Sequence, residues 1–227
     1  TRNFWVYVDG KGAWSATGRS AKQQAKLFDD DKEQVKLTAG IMWHKVERQT
    51  DEMGLKAELT TFVPYTQDKV ELTKVTITNT ADTTQKITST VAIPMYARSA
   101  SNIRDHRHVT SLLHRTFTIK DGIMIYPTLT FDERGHNKNT VFYGALAKEM
   151  VNGKMESPVS FCPVTEEFIG EGGNFENPYY VAKNKPLPYT EGQEVDGYET
   201  VAAIRFNDCE LKPGESRSYV IALEYGT

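Results

Sequence analysis

Apolar and polar residues alternate with a period of two along most of this chain, the pattern of half-buried β-strands. In Leu55–Val63 the apolar residues fall at positions 55, 57, 59 and 63. Val70–Thr78 and Lys86–Tyr96 continue the alternation with many β-branched residues. Further segments of this character, each predicted to be a strand, are 3–8, 111–119, 122–131, 140–147, 201–206 and 218–224.

Turn residues separate these segments at intervals of roughly 8–12 positions. Asn79-Thr80-Ala81-Asp82 is a predicted turn, because Asn and Asp side chains hydrogen-bond nearby backbone groups. Asp121-Gly122 between two strand segments predicts a tight hairpin, and Leu211–Glu215 predicts a turn before the last strand. Many short strands with regular turns indicate an all-β sandwich or barrel.

Helical signals are few. Ser20–Phe28 begins with an N-cap serine and continues with good helix formers, which predicts about two helical turns. Ile169–Asp196 is rich in Gly and Pro, and we expect a long irregular excursion there, of the kind that often serves function. Without repeats or low-complexity tracts, residues 1–227 are predicted to form one domain.

Composition narrows the function classes. The 227 residues are 39% hydrophobic and 25% charged with a net charge of −3, which is typical of a soluble globular protein. No basic run is present, so nucleic acid is not an expected partner. No apolar stretch approaches 18 residues, and no signal peptide opens the chain, so we expect no membrane association.

The two cysteines, Cys162 and Cys209, lie far apart and lack the spacing of a zinc site. We expect them to be buried or neutral thiols in a reducing compartment, which predicts a cytoplasmic location, and a single disulfide between them is the less favoured alternative. Both ends of the chain lie close to strand segments. From this we expect the domain to be excised from a much longer multidomain chain.

The densest polar patch is Asn102–His108, followed by His114-Arg115. In an extended chain Arg104, His106 and His108 project to one side, and Asp105 and Arg107 to the other. A His-x-His pair can hold a metal, but no third ligand stands at a convincing spacing unless His44 or His136 is recruited. We therefore expect no metal here. A buried polar network and a ligand or subunit contact are the two remaining interpretations.

Paired carboxylates can cleave glycosidic bonds when they are about 5–10 Å apart. Asp132 and Glu133 are adjacent and would point to opposite faces of a strand, so Asp132–His136 is predicted to be a charged hairpin tip. The same reasoning applies to Glu166-Glu167 and Glu171. We therefore expect no catalytic residue in this segment.

Other motifs are weak. Gly170–Gly173 is not followed by the Lys and Ser or Thr that a phosphate loop requires. No Gly-x-Ser-x-Gly elbow is present. Trp5, Trp14 and Trp43 offer rings that can stack on sugars, although aromatic residues on strands more often belong to a core.

Several segments together resemble the N-terminal domain of glycoside hydrolase family 94 enzymes. These are Phe4–Asp9, Trp14–Gly18, Trp43–Arg48, Leu55–Val63, Val70–Asn79, Ser99–Arg115, Phe131–His136 and Phe168–Gly173. The resemblance covers nearly the whole chain. Three of these stretches, Ser99–Arg115, Phe131–His136 and Phe168–Gly173, are most similar to the 1,2-β-oligoglucan phosphorylase branch, and Arg104–His108 is the most specific part of the resemblance.

The resemblance implies a large antiparallel β-sandwich, a supersandwich of the galactose mutarotase type with few short helices. It also implies a bacterial enzyme whose (α/α)-barrel follows this domain. Such enzymes reversibly phosphorolyse a β-1,2-glucosidic bond with inversion and release glucose 1-phosphate. An aspartate in the barrel is the general acid, and phosphate is the nucleophile. None of those residues maps onto this segment.

On this interpretation the partners are a β-glucan oligosaccharide and inorganic phosphate, both bound through the barrel, and no cofactor is expected. A homodimer is a further expectation. The candidate residues for the substrate cleft or an interface are Arg104, Asp105, His106, Arg107, His108, His114, Arg115, Arg134 and His136. The alternative functions are an independent carbohydrate-binding module and, less favoured, an aldose epimerase that would use His106 or His108.

Overall fold

The computed structural model describes residues 2–96, 114–127 and 141–226, with backbone alone for His114 and Pro127. Within these ranges the strands form two sheets, one of six strands and one of ten. The same ranges contain three helices of four or five residues, which lie outside the sheets: α1 (Ala21–Ala25), α2 (Thr165–Ile169) and α3 (Tyr179–Ala182).

The smaller sheet contains β1 (Asn3–Val8), β2 (Gly12–Ser15), β7 (Gln85–Met95), β12 (Ser160–Val164), β14 (Thr200–Arg205) and β15 (Cys209–Leu211). Its strand order is β12-β14-β7-β1-β2, and β15 pairs with the first residues of β7. All of its pairings are antiparallel.

The larger sheet contains β3 (Gln34–Gly40), β4 (Trp43–Thr50), β5 (Leu55–Phe62), β6 (Val70–Asn79), β8 (His114–Ile119), β9 (Gly122–Pro127), β10 (Phe142–Val151), β11 (Lys154–Glu156), β13 (Glu194–Asp196) and β16 (Ser216–Gly226). Its order is β13-β8-β9-β10-β16-β6-β5-β4-β3, with β11 on β10. The prediction of an all-β sandwich with few short helices is confirmed.

Alternation places one face of the larger sheet in the core, as the period-two pattern predicts. On β5, Leu55, Ala57 and Leu59 are buried, whereas the residues between them are partly exposed. The smaller sheet differs, because β14 is buried at every position and β7 at nearly every one. A strand buried on both faces needs cover on both sides.

That second cover comes from the segment between β12 and β14. A second apolar cluster covers the far face of the smaller sheet. It packs Phe168 of α2, Val181 of α3 and Leu187 against residues of the sheet that include Trp5 of β1. The predicted irregular excursion over Ile169–Asp196 is therefore largely irregular, but it also contains α3 and β13.

The predicted turn at Asn79 is held by hydrogen bonds of the Asn79 side chain. The buried Asn79 side chain donates to the carbonyls of Thr83 and Leu211, both at 2.8 Å. It accepts from the Ala81 amide at 3.0 Å and from Gln85 Nε2 at 2.7 Å. The predicted Asn79 turn thus also joins β6, β7 and β15, because one amide side chain satisfies four partners.

The helix start is confirmed, and the helix end is not. Ser20 caps α1 in a capping box with Gln23, but the helix ends at Ala25 and not at Phe28. Periodicity also missed seven strands that are short, largely exposed or buried on both faces: β2, β3, β4, β11, β12, β13 and β15. Both cysteines are free, as expected, with Cys162 buried and Cys209 partly buried.

Three aromatic rings join the two sheets at the centre of the core. Tyr219 of the larger sheet has its ring centroid 5.0 Å from Phe4 of β1. The ring of Phe206, which follows β14, lies 4.8 Å from Tyr219 on the smaller-sheet side. All three side chains are almost fully buried, so they contribute both apolar burial and ring–ring attraction.

We predict that Phe206→Ala lowers the free energy of unfolding by about 3–5 kcal/mol, because it opens a cavity between two sheets that cannot close on it. The control is Phe28→Ala, which removes a ring that is 91% exposed and should change stability by no more than about 0.5 kcal/mol. Urea unfolding of both variants measures the difference. Equal losses would contradict the central role of this cluster.

Candidate functional site

Most of the residues predicted as site candidates lie outside the described part of the chain. These are Arg104, Asp105, His106, Arg107, His108, Arg134 and His136. His114 is the first residue of β8 and is described by its backbone alone. Arg115 is therefore the one candidate whose side chain lies in the described part of the chain.

Arg115 lies on the outer face of the larger sheet, near the edge formed by β13 and β8. Alternation along β8 buries Thr116 and Thr118 and turns Arg115 and Phe117 outward. The Arg115 Nε atom is 4.0 Å from Asp196 Oδ2 on β13, the strand beside it. Both side chains are about half exposed, so this pair contributes at most about 1 kcal/mol to stability.

A shallow groove of about 600 Å³ opens beside Arg115. Phe117 and Tyr126 meet edge to face with their ring centroids 5.7 Å apart, and Tyr126 lies 5.4 Å from Phe142 on β10. Met124 also lines the groove, with its sulfur 4.0 Å from the Tyr126 hydroxyl. The groove therefore offers apolar and aromatic surface beside the Arg115 guanidinium, and the Asp196 carboxylate lies 4.0 Å from that guanidinium.

A second cavity, of about 710 Å³, lies between α1, β2 and β4. Glu33 fills its polar side and accepts from Trp14 Nε1 at 2.7 Å, Gln23 Nε2 at 2.8 Å and Arg48 Nη1 at 3.0 Å. Gly18 allows the Arg48 guanidinium to pass against the backbone. Because Glu33 accepts from one residue each of α1, β2 and β4, the network holds α1 against both sheets. No sequence pattern indicated it.

The carboxylates weighed in the sequence do not form an acid–base pair among the described residues. Glu166 is exposed on α2, and Glu167 accepts from the Tyr189 hydroxyl at 2.9 Å. Burial and the neighbouring Glu167 raise the pKa of Tyr189 to about 12, so the phenol stays protonated. Glu167 thus fixes the loop against β12. Asp132 and Glu133 lie outside the described residues.

Neither cysteine is a nucleophile. Burial raises the pKa of Cys162 to about 12 and that of Cys209 to about 11, and a thiol attacks only as its thiolate. The expectation of neutral thiols is confirmed. Across residues 2–96, 114–127 and 141–226, no cluster of three His, Cys, Asp or Glu side chains could hold a metal.

The tryptophans divide between core and surface. Trp5 and Trp14 are 2% and 3% exposed, so neither can stack on a sugar. Trp43 is 39% exposed on β4, where its indole lies across Gly40 of β3. The interpretation of strand aromatics as core is right for the first two and wrong for the third.

The chain matches the family model of the glycosyl hydrolase 94 supersandwich domain over residues 7–226. The chain belongs to glycoside hydrolase family 94. The predicted family is thereby confirmed, and the supersandwich is that family's domain. Membership makes this a domain of a carbohydrate-active enzyme. No curated protein sequence matches the chain.

Three solved structures that match this chain belong to much longer proteins. A polysaccharide lyase shares 12% identity and a TM-score of 0.47, over 100% of this chain and 26% of its own. The GH36 α-galactosidase AgaB from Geobacillus stearothermophilus has 11% sequence identity and a TM-score of 0.38, over 98% of this chain and 29% of its own. The GH36 α-galactosidase AgaA A355E from the same organism has 13% sequence identity and a TM-score of 0.33, over 100% of this chain and 27% of its own. This family 94 chain thus spans under a third of each.

The helices in the described ranges are all too short to cross a lipid bilayer.

One carboxyl group of this family 94 domain is buried in the core. Glu149 on β10 is 1% exposed, with its Oε1 atom 3.2 Å from Arg217 Nη1 on β16 and without a hydrogen bond. Burial raises the pKa of Glu149 above its ordinary value of 4.5, and the charge of Arg217 only partly offsets this. A buried acid of this kind ties stability to pH.

We predict that the domain loses stability as the pH rises from about 4.5 through the raised pKa of Glu149, because the folded state holds that proton more tightly than the unfolded state. Glu149→Gln cannot ionise and should flatten this part of the stability profile. Urea unfolding across this pH range measures the slope. The exposed Glu210→Gln is the control, and identical slopes in all three proteins would refute the prediction.

Proposed function

We propose that this chain is the non-catalytic N-terminal domain of an inverting phosphorylase. In the full-length protein, phosphate attacks the anomeric carbon of a β-1,2-linked gluco-oligosaccharide, and the glucosidic C–O bond breaks. A general acid outside this segment protonates the leaving oxygen, and glucose 1-phosphate is released. The reaction is reversible, because the phosphate ester and the glycoside differ little in energy.

Family membership over residues 7–226 is the observation that carries the proposal. The resemblance of Arg104–His108 to the oligoglucan phosphorylases supports the choice of substrate. Two observations favour a non-catalytic role for this segment. Glu33 and Glu167 are both engaged in hydrogen bonds that fix the fold, and both thiols are held neutral.

In this proposal the segment Arg104–Arg115 shapes the substrate cleft or contacts the rest of the enzyme. Arg115 supports this role, because its side chain is more than half exposed and its ion-pair partner among the described residues is the Asp196 carboxylate, 4.0 Å away. An arginine of this kind can donate several hydrogen bonds to sugar hydroxyls, phosphate or a carboxylate of another domain.

We predict that the full-length protein consumes phosphate and forms glucose 1-phosphate with β-1,2-linked gluco-oligosaccharides. With β-1,4-linked oligosaccharides of the same length, the rate should be at least about 100-fold lower, because a site that hydrogen-bonds particular hydroxyls rejects sugars that misplace them. Coupled detection of glucose 1-phosphate measures both rates. Hydrolysis to free glucose without phosphate consumption would refute phosphorolysis.

A carbohydrate-binding module is the second candidate, and the groove beside Arg115 is the observation that favours it. Sugar rings present C–H faces that stack on aromatic rings, and their hydroxyls need charged or polar groups at the rim. Tyr126 and Phe117 supply the first requirement, and Arg115 and Asp196 supply the second. This function would not require any other domain.

For this second candidate we predict that the 227-residue chain itself binds β-1,2-gluco-oligosaccharides and that Tyr126→Ala weakens binding about tenfold, equal to ~1.4 kcal/mol. Isothermal calorimetry measures the affinity. Tyr65→Ala is the matched control, because Tyr65 is fully exposed in the turn after β5. No heat with several oligoglucans would remove this candidate and leave the phosphorylase proposal intact.

A further inference from the structure

Trp43 is the one tryptophan of this chain that solvent reaches. Its side chain is 39% exposed, whereas Trp5 and Trp14 are 2% and 3% exposed. Tryptophan carries a large apolar surface and is on average highly buried in folded proteins. An indole that stays open to solvent on a β-sheet therefore offers a contact surface for a ligand.

Trp43 lies on the outer face of the larger sheet, opposite to the face that packs on the smaller sheet. On β5 the buried Leu59 marks the inner face, and Phe62, three positions later, lies on the other side. Phe62 is the cross-strand partner of Trp43, and Leu72 on β6 is the partner of Phe62. Phe62 and Leu72 are partly exposed. A short apolar row on the outer face therefore ends at the indole of Trp43.

Gly40 allows the indole to lie against the sheet. Gly40 is the partner of Trp43 on β3, and a Cβ atom at position 40 would come within 2.3 Å of Trp43 Nε1. The indole thus occupies the space that a side chain at position 40 would fill. A ring that is already held against the backbone has little conformational freedom left to lose, so a ligand covers it at a low cost in entropy.

Hydrogen-bonding side chains border the indole on the same face of the sheet. Lys45 follows two positions later on β4, and its partners are Thr38 on β3 and Thr60 on β5. In the next row Glu47 is paired with Glu58. Successive rows on one face are roughly 7 Å apart, which is close to the size of one sugar ring. A sugar stacked on the indole therefore places its rim beside these polar groups.

The charges in these rows hold one another in position. Lys45 Nζ is 2.6 Å from Glu58 Oε1 and 3.5 Å from Glu47 Oε1. Lys56 Nζ lies 3.3 Å from the same Glu47 atom. The hydrogen bond from Lys45 lowers the pKa of the Glu58 carboxyl, which is therefore an ionised acceptor at neutral pH. All four side chains stay partly exposed, so they can also hydrogen-bond a ligand.

An open aromatic ring beside ordered donors and acceptors matches the two surfaces of a glucosyl unit. The C–H groups of the sugar form an apolar face that stacks on an indole, and its hydroxyls form a polar rim. These hydroxyls can donate to the Glu58 carboxylate and accept from the Lys45 ammonium. A protein that covered the indole would also bury this ion pair and would have to offset the loss of its hydration. The surface therefore fits a carbohydrate better than a protein.

We propose that the Trp43 indole, with the neighbouring ion pair of Lys45 and Glu58, is a surface site for glucosyl units of a β-1,2-glucan. The identity of the glucan rests on the proposed function. The site is separate from the groove beside Arg115, because β4 and β9 are five strand positions apart, which corresponds to roughly 24 Å. It binds a part of the glucan away from its reacting end. This contact raises the local concentration of long chains and favours them over short ones.

Fluorescence quenching tests the site directly. Because Trp5 and Trp14 are buried, acrylamide quenches the tryptophan fluorescence of the 227-residue chain mainly at Trp43. Without phosphate, a β-1,2-glucan of about 20 glucosyl units, long enough to extend beyond one site, should protect Trp43 in a saturable manner. A dextran of the same mass is the control for viscosity. Quenching that stays unchanged while the glucan binds would overturn the inference, because the glucan would then lie elsewhere.

Substitutions assign the binding energy to the ring. Trp43→Ala should weaken glucan binding at least about tenfold, and Trp43→Phe, which keeps a ring, should weaken it less. Phe28→Ala is the matched control, because it removes an exposed ring outside the site and should leave the affinity unchanged. Calorimetry measures the affinities, and urea unfolding verifies that the variants fold. Equal affinities of Trp43→Ala and the unchanged chain would overturn the inference.

Substrate length tests the role of the site in the full-length protein. Trp43→Ala should raise KM for the long glucan at least about fivefold, while KM for a β-1,2-linked trisaccharide and kcat for both stay unchanged. An unchanged KM for both substrates, or an equal rise for both, would overturn this role. If the full-length protein forms no glucose 1-phosphate, the proposed function fails, whereas quenching and calorimetry still decide whether Trp43 binds the glucan.

Discussion

The smaller sheet is buried on both faces, and the rest of the structure depends on how that burial is achieved. On one side the rings of Phe4 and Phe206 meet Tyr219 of the larger sheet. On the other, Phe168 and Val181 close a second apolar layer. A strand such as β14, buried at all six positions, would be unstable without both covers.

This layering determines which surfaces remain free for function. The segment between β12 and β14 looks like a functional loop, but it is engaged in covering the smaller sheet. Glu167 and Tyr189 belong to that cover through their hydrogen bond. The outer face of the larger sheet has no third layer among the described residues. The groove beside Arg115 and the open indole of Trp43 both belong to this larger sheet, toward its opposite edges.

Electrostatics in the domain serve mainly to hold elements in place. Asn79 satisfies four partners at a junction of three strands, and Glu33 joins α1 to β2 and β4. The strongly buried groups, Cys162 and Tyr219, have pKa values raised by burial and stay neutral. These contacts fix the elements of the domain relative to one another, which is consistent with the non-catalytic role proposed above.

The sequence by itself determined the fold class, most strand segments and the family. Period-two alternation and turn residues such as Asn79 and Asp121 act locally, so they can be read without coordinates. Tertiary structure alone decided that Trp14 is core while Trp43 is surface, and that Glu33 meets Arg48. It also left β3 uncovered. Whether an alternating strand is buried depends on how far the opposite sheet extends, and no local pattern records that distance.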